Sequence, residues 1–136
     1  MQKPLAPQQL ILNLLESSPL NRLLEISYFF EKDTLKATFF LNSFSKQPFG
    51  SLHGGISAFL AESLGSASSL MHIDSTKEKP VGINLHIQHL TSTSEGQIEA
   101  KALPIKLGKS LHTWEILIEQ QGDLLAKALL TVKILS

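Results

Sequence analysis

Between Lys46 and Asp74 lie twenty-seven residues, and Glu62 is the only one of them with a formal charge. A carboxylate isolated in this way has two readings. Held out of water beside protein, it is poised as a general base or a nucleophile; left in water, it is an ordinary surface glutamate. The nearby positions Ser57, Ala58, Ser63, Gly65, Ser66, Ser68 and Ser69 are small and uncharged, where a solvated helix face would carry lysine or arginine. Small side chains suit close packing against protein, and a subunit interface is the packing that leaves the carboxylate partly desolvated. On a helical wheel Glu62 stands about 140° from an apolar stripe centred near Leu60, Leu64 and Ala67, with Gly55, Phe59 and Ser66 nearer to its side.

Upstream, His53-Gly54-Gly55 opens the same segment. Two glycines at a helix start leave backbone N–H groups uncovered and without an intrahelical acceptor, so a ligand carbonyl can approach them. Such donors stabilise the charge that grows on a carbonyl oxygen under attack, by about 3 kcal/mol each. A plain glycine turn entering a helix has the same sequence. Downstream, His89 continues the alternating set Val81, Ile83, Leu85 and Ile87, where it either satisfies a buried polar group or lines a pocket. His86 points to the opposite face of that strand, which argues against a shared metal ion. His72 and His112 have no partners at ligand spacing, and Trp114 reads as core. Lys106 and Lys109 flank Gly108 in a tight turn, placed either to meet phosphates or only to aid solubility.

Composition closes other routes. There is no cysteine, hence no thiolate nucleophile, disulfide framework or Cys-ligated metal. Twelve basic and twelve acidic side chains cancel, and no run of lysine or arginine is dense enough for nucleic acid or an anionic membrane surface. Leu52 to Ile73 is long enough to span a bilayer, yet it carries Glu62, two histidines and five serines, so a helix inside a soluble fold is expected. Met1 to Leu15, with Pro4, Pro7 and Asn13, is poor signal-peptide material, and a cytosolic protein is expected.

The elements that must position these residues follow from periodicity. Gln8 to Glu16 has apolar residues at helical spacing and ends at Ser17-Ser18-Pro19, which reads as a breaker. Leu24 to Phe30 and Thr34 to Leu41 read as strands joined at Glu31-Lys32-Asp33. After a loop comes one long helix, Gly54 to about His72, and then four strands, Val81 to Leu90, Gln97 to Leu107, Ser110 to Glu119 and Leu124 to Leu135. The short connections require antiparallel pairing, and the helix provides the crossover. The expectation is a single α+β domain over residues 1–136, a six-stranded antiparallel sheet wrapped around one central helix, with a short N-terminal helix.

Taken together, Gln47-Pro48-Phe49-Gly50-Ser51-Leu52-His53-Gly54-Gly55, Leu60-Ala61-Glu62-Ser63-Leu64-Gly65-Ser66, Val81-Gly82-Ile83-Asn84, His89 and Leu107-Gly108-Lys109-Ser110 resemble the hotdog-fold thioesterases of the PaaI-like type. The resemblance spans about Phe39 to Leu135. It implies Glu62 as catalytic carboxylate, a carbonyl-polarising amide from Gln47, a backbone N–H from Gly54, and supporting roles for His53, Ser66 and His89. It further implies sites shared between two subunits, with Glu62 of one facing Gln47, His53 and Gly54 of the other, in a dimer that pairs into a tetramer. Gly55, Phe59, Gly108 and Lys109 complete the expected substrate contacts. Gln88 and Thr91 stand where such enzymes often carry asparagine and a basic residue, which leaves the CoA phosphates to Lys109 or a neighbouring lysine.

The expected reaction is hydrolysis of an aromatic acyl-CoA, such as 1,4-dihydroxy-2-naphthoyl-CoA of menaquinone synthesis, without metal or redox cofactor. The rival readings are a thioesterase for acyl groups on a carrier protein, a medium-chain acyl-CoA thioesterase, a hotdog dehydratase and a non-catalytic acyl-binding module.

Overall fold

The computed structural model describes residues 7–136; residues 1–6, which begin the segment read above as poor signal-peptide material, lie outside the described residues. The elements run α1 (Pro7–Glu16), α2 (Pro19–Leu23), β1 (Ser27–Glu31), β2 (Thr34–Phe40), α3 (Gly54–Ser69), β3 (Lys79–His89), β4 (Gln97–Leu107), β5 (Leu111–Gln120) and β6 (Asp123–Leu135). A 3₁₀ turn, Leu70–His72, extends α3 to the residue where periodicity ended it. The short helix α2 departs from expectation. Pro19 takes its first turn, where no N–H is needed, and Ser18 caps it, so Ser17-Ser18-Pro19 ends one helix and starts the next.

The six strands form one sheet in the order β1-β2-β4-β5-β6-β3, with every neighbouring pair antiparallel. α3 crosses its inner face. Leu60, Ala61 and Leu64 are fully buried there against Ile98, Ile116, Ile118, Leu130 and Val132. Ala100, Ala102, Ala126 and Ala128 fill inward positions of β4 and β6 with one carbon each, which lets the helix sit close to the sheet. The small helix residues serve the same approach: Ser57, Gly65, Ser68 and Ser69 are buried against this chain's own sheet, and a side chain on Gly65 would collide with Leu130. For these four the close packing lies within the chain, whereas Ala58, Ser63 and Ser66 of the same set are half-buried. Among the described residues no helix is long and apolar enough to cross a membrane.

β3 contains a bulge between Gly82 and Asn84. Simple alternation put Val81, Ile83, Leu85, Ile87 and His89 on one face. The extra residue shifts the phase, so Pro80 and Gly82 pair with Ile134 and Val132 on the inner face at one end, and Leu85, Ile87 and His89 pair with Leu130, Ala128 and Ala126 at the other. Val81 and Ile83 are exposed instead. β3 lies at the edge of the sheet, with β6 as its one partner among the described residues.

Candidate active site

α3 and β3 run antiparallel, and the candidate residues gather at two places along them. At the first, the start of α3, a groove of about 380 Å³ is lined by Gln47, Leu52, Gly54, Ser57, His89, Thr91 and Ser92, among others. The His89 ring packs on the Gly54 backbone so closely that a side-chain carbon at position 54 would lie 3.0 Å from Nε2. His53 caps the helix: its Nδ1 accepts from the Gly55 N–H at 2.8 Å, which leaves the ring proton on Nε2. The cap changes the expectation of two bare amides. Gly55 is occupied, and among the described residues the Gly54 N–H donates to no acceptor outside the helix. Gln47 is oriented by its own turn, accepting from the Phe49 N–H through Oε1 and donating through Nε2 to the Ser51 hydroxyl at 2.5 Å. A carboxamide nitrogen carries two protons, so one remains for a ligand.

At the second place, Glu62 is half-buried, and its carboxylate lies over Gly82, where a side-chain carbon would come within 2.5 Å of Oε2. Neither a hydrogen bond nor an ion pair engages Glu62 among the described residues. The floor beneath it is bare because position 82 is glycine, and this partner was missed in the sequence; an isolated glycine inside a strand is the signal that could have revealed it. Phe59, one turn before Glu62, is half-buried. Ser66, one turn after it, lines a second groove of about 280 Å³ with Ser63, Ala67, Leu70, Pro80, Leu14 and Leu15. Two elements lead from the carboxylate into that groove: α3 through residues 62, 66 and 70, and β3 through Gly82 to Pro80.

Gly108 and Lys109 lie in the β4–β5 turn, which the Gly108 N–H closes on the Leu111 carbonyl at 2.8 Å. Through the pairs His112 with Val132 and Val132 with Gly82, this turn belongs to the Glu62 end of the sheet. One chain therefore brings Gln47, Gly54 and His89 together, with His53 as their support, and holds Glu62, Ser66, Gly108 and Lys109 apart from them. Ser57, Thr91 and Ser92 line the first groove without having been assigned a place in the site, because serine and threonine in a loop or on a helix give no sequence signal of their own. No group of histidine, aspartate and glutamate suited to a metal ion occurs among the described residues.

These positions can supply a carboxylate at one end and carbonyl-binding donors at the other. Comparison with known proteins shows the same family. Residues 49–127 match the family described as Thioesterase superfamily. The chain is similar to the 1,4-dihydroxy-2-naphthoyl-CoA hydrolase of Escherichia coli, 38% identical over 104 residues that make up 76% of each protein. Proofreading thioesterase EntH of Cronobacter sakazakii is 39% identical over 93 residues, 66% of each. Among solved structures, a mutant thioesterase from Pseudomonas aeruginosa superposes with a TM-score of 0.86 at 32% identity, covering 98% of this chain and 96% of that one. A Haemophilus influenzae thioesterase has the same TM-score at 31% identity, covering 98% and 93%. The fold is thus the hotdog fold of these enzymes, and the chain belongs to the thioesterase superfamily as a hydrolase of acyl thioesters.

Proposed function

We propose that this protein hydrolyses an aromatic acyl-CoA, with 1,4-dihydroxy-2-naphthoyl-CoA as the leading candidate, at sites completed by a second copy of the chain. The observation that carries the reading is the separation of two unfinished half-sites. Gly54 and Glu62 are eight residues apart on α3, roughly 12 Å along the axis, which is too far to grip one carbonyl group. Gly82, beneath Glu62, and His89, against Gly54, stand at opposite ends of the free-edged β3, roughly 20 Å apart. If two copies of β3 pair antiparallel about a two-fold axis, the Glu62 end of one chain meets the Gly54 end of its partner, twice over. Exposed Phe49 on the Gln47 turn gains a neighbour in the same step. Exposed Val81, Leu111 and Leu129 on the outer sheet face give two such dimers a surface on which to associate.

In that assembly the thioester oxygen accepts from the Gly54 N–H and the Gln47 amide, and His89 and Ser57 border the same cleft. Glu62 then acts on the carbonyl carbon, either through its own oxygen, forming an anhydride that water cleaves, or by taking a proton from an attacking water. In both routes the C–S bond breaks, sulfur leaves with the electron pair and is protonated to the thiol, and the acid is released. The aryl group extends past Ser66 into the groove lined by Ala67, Leu70, Pro80, Leu14 and Leu15, whose apolar walls suit a flat ring. Lys109, in the turn at the Glu62 end, is the cation we assign to the CoA phosphates. The whole chain acts as one unit, in the cytoplasm, where acyl-CoA is made.

A panel of aryl, medium-chain and short acyl-CoA substrates read by thiol release tests the substrate. The likeness to EntH favours a second reading, turnover of acyl groups on a carrier protein, and higher kcat/KM on carrier thioesters than on CoA thioesters would select it. Shared sites are tested by mixing inactive Glu62→Gln and Gln47→Ala proteins after dissociation. Random reassortment restores about a quarter of wild-type activity, because half the dimers are mixed and each regains one intact site. No recovery would remove the shared site.

A further inference from the structure

One wall of the groove at the start of α3 is a loop that burial does not hold. Residues 91–96 follow β3, and Thr91 and Ser92 line that groove with Gln47 and Leu52. Thr91, Ser92, Ser94, Glu95 and Gly96 are exposed, so hydrogen bonds rather than packing fix the course of the loop. Its backbone is tied at three points: the Thr91 N–H donates to the Leu125 carbonyl at 3.1 Å, the Thr93 carbonyl accepts from the Leu52 N–H at 2.8 Å, and the Gly96 carbonyl accepts from the Leu41 N–H at 3.0 Å. The middle tie reaches the site. Leu52 pairs with Lys46 across the turn that carries Gln47, and it precedes His53, the cap of α3. One hydrogen bond therefore joins the loop to the segment that carries Gln47 and Gly54.

Gln120, half-buried at the end of β5, holds that tie in place. It accepts from the Thr93 hydroxyl through Oε1 at 2.6 Å and donates through Nε2 to the Glu95 carbonyl at 2.7 Å. A carbonyl can only accept, so the amide has one orientation. Among the described residues no other side chain outside the loop is hydrogen-bonded to it. Position 96 is shaped around the same amide: a side-chain carbon on Gly96 would lie 2.8 Å from Nε2, and its φ of +93° is one that glycine adopts without strain.

We propose that Gln120 is a positioning residue for thioester hydrolysis: its amide fixes the bend at residues 93–95, the bend aims the Thr93 carbonyl at Leu52, and Leu52 sets the spacing of Gln47 and Gly54 about the carbonyl oxygen. The proposal rests on the reading of Gln47 and Gly54 given above and adds what keeps them in register. Gln120 does not itself line the groove, so it acts through the loop. Without its amide the Thr93 hydroxyl turns to the Glu95 carbonyl, already 3.2 Å away, and the bend relaxes. Donors displaced by a fraction of an ångström stabilise the transition state less and bind the ground state almost as well, so the loss falls on kcat.

The test measures kcat and KM for benzoyl-CoA and acetyl-CoA in the full-length protein, well below its melting transition, for Gln120→Met, Thr93→Val and Thr93→Ser. Gln120→Met keeps the bulk and removes both bonds, and Thr93→Val keeps the shape and removes one. In each of these two, kcat is expected to fall about tenfold, equally for both substrates, with KM little changed. Thr93→Ser, which retains the hydroxyl, should keep wild-type kcat. The double variant of Gln120→Met with Thr93→Val should be no slower than the slower single one, since both break one chain of bonds. Destabilisation alone lowers the melting temperature and leaves kcat of the folded protein intact; that result, a loss confined to one acyl group, or Thr93→Ser as slow as Thr93→Val overturns the role of Gln120. Wild-type kcat in Gln47→Ala overturns the reading of the half-site and the proposal with it, whereas a slow Gln47→Ala beside an unaltered Gln120→Met overturns Gln120 alone.

Discussion

The two ends of α3 treat their polar side chains in opposite ways. At the C-terminal end, Ser69 is fully buried, receives the Trp114 Nε1–H at 2.8 Å and shares a hydrogen bond with His112 Nδ1 at 2.8 Å. No buried side-chain nitrogen or oxygen among the described residues there lacks a partner. At the N-terminal end the Gly54 N–H lacks an acceptor outside the helix, and at the middle of α3 Glu62 stands over bare backbone without hydrogen bond or ion pair, both among the described residues. Both ends pack on the same sheet, so packing does not explain the contrast. Polar groups that satisfy one another hold the fold together, and those left with spare capacity are available to a substrate.

This contrast can be broken at four points. Glu62→Gln keeps the shape and removes the base, so kcat/KM for any accepted thioester should fall by about three orders of magnitude with fold and assembly unchanged; retained turnover would dissolve the contrast. Gly82→Ala puts a carbon where the carboxylate now sits and should cost roughly 100-fold in kcat by displacing Glu62, whereas thermal stability moves little. A variant with normal kcat would mean that the floor under Glu62 is incidental. Ser69→Ala does the converse: it strands the Trp114 and His112 nitrogens in the core, and denaturant titration should show a loss of about 1–3 kcal/mol with kcat/KM nearly intact. A catalytic defect larger than the stability defect would join the two ends functionally.

The smallest expected effect is a pH slope. Burial first, and the neighbouring His72 second, hold the His112 ring below the ordinary histidine value of 6.5, against the Gly108 carbonyl and Glu78, which pull upward. The folded state therefore binds fewer protons than the unfolded chain just below that value. Stability is complete above pH 6.5 and drains away as the pH falls toward the folded-state value. Melting temperature measured between neutral and acidic pH should show this decline, and His112→Gln should flatten it. An identical slope in the variant would assign the titration elsewhere.

Much of this architecture is legible in the sequence, for identifiable reasons. The three-to-four spacing of Ile56, Leu60, Leu64 and Ala67 and the two-residue alternation of Leu35, Ala37 and Phe39 report local periodicity, and both elements stand where expected. α2 was hidden because Pro19 both ends and begins helices. The phase shift in β3 was hidden because nothing local to Ile83 demands it; the need to face both Gly82 and Leu85 inward comes from α3 above them. For the site, the isolation of Glu62 and the paired glycines were readable, but no spacing rule could tell that Gln47, Gly54 and His89 would share one groove while Glu62 stood apart. The use of the Gly55 N–H by His53 is equally invisible, since it depends on a side-chain rotamer.

The extra residue in β3 also bears on how this chain tolerates changes in length. Deleting Ile83 would restore uninterrupted alternation and rotate one half of the strand, exchanging Gly82 for a bulkier neighbour under the carboxylate or turning His89 away from the helix start. A change of length in the exposed connection at residues 75–77 moves no inward-facing strand position and touches neither groove of the site. Families of sequences derived from this one should therefore vary in length at the loop and hold constant the count of residues between the proline at 80 and the histidine at 89.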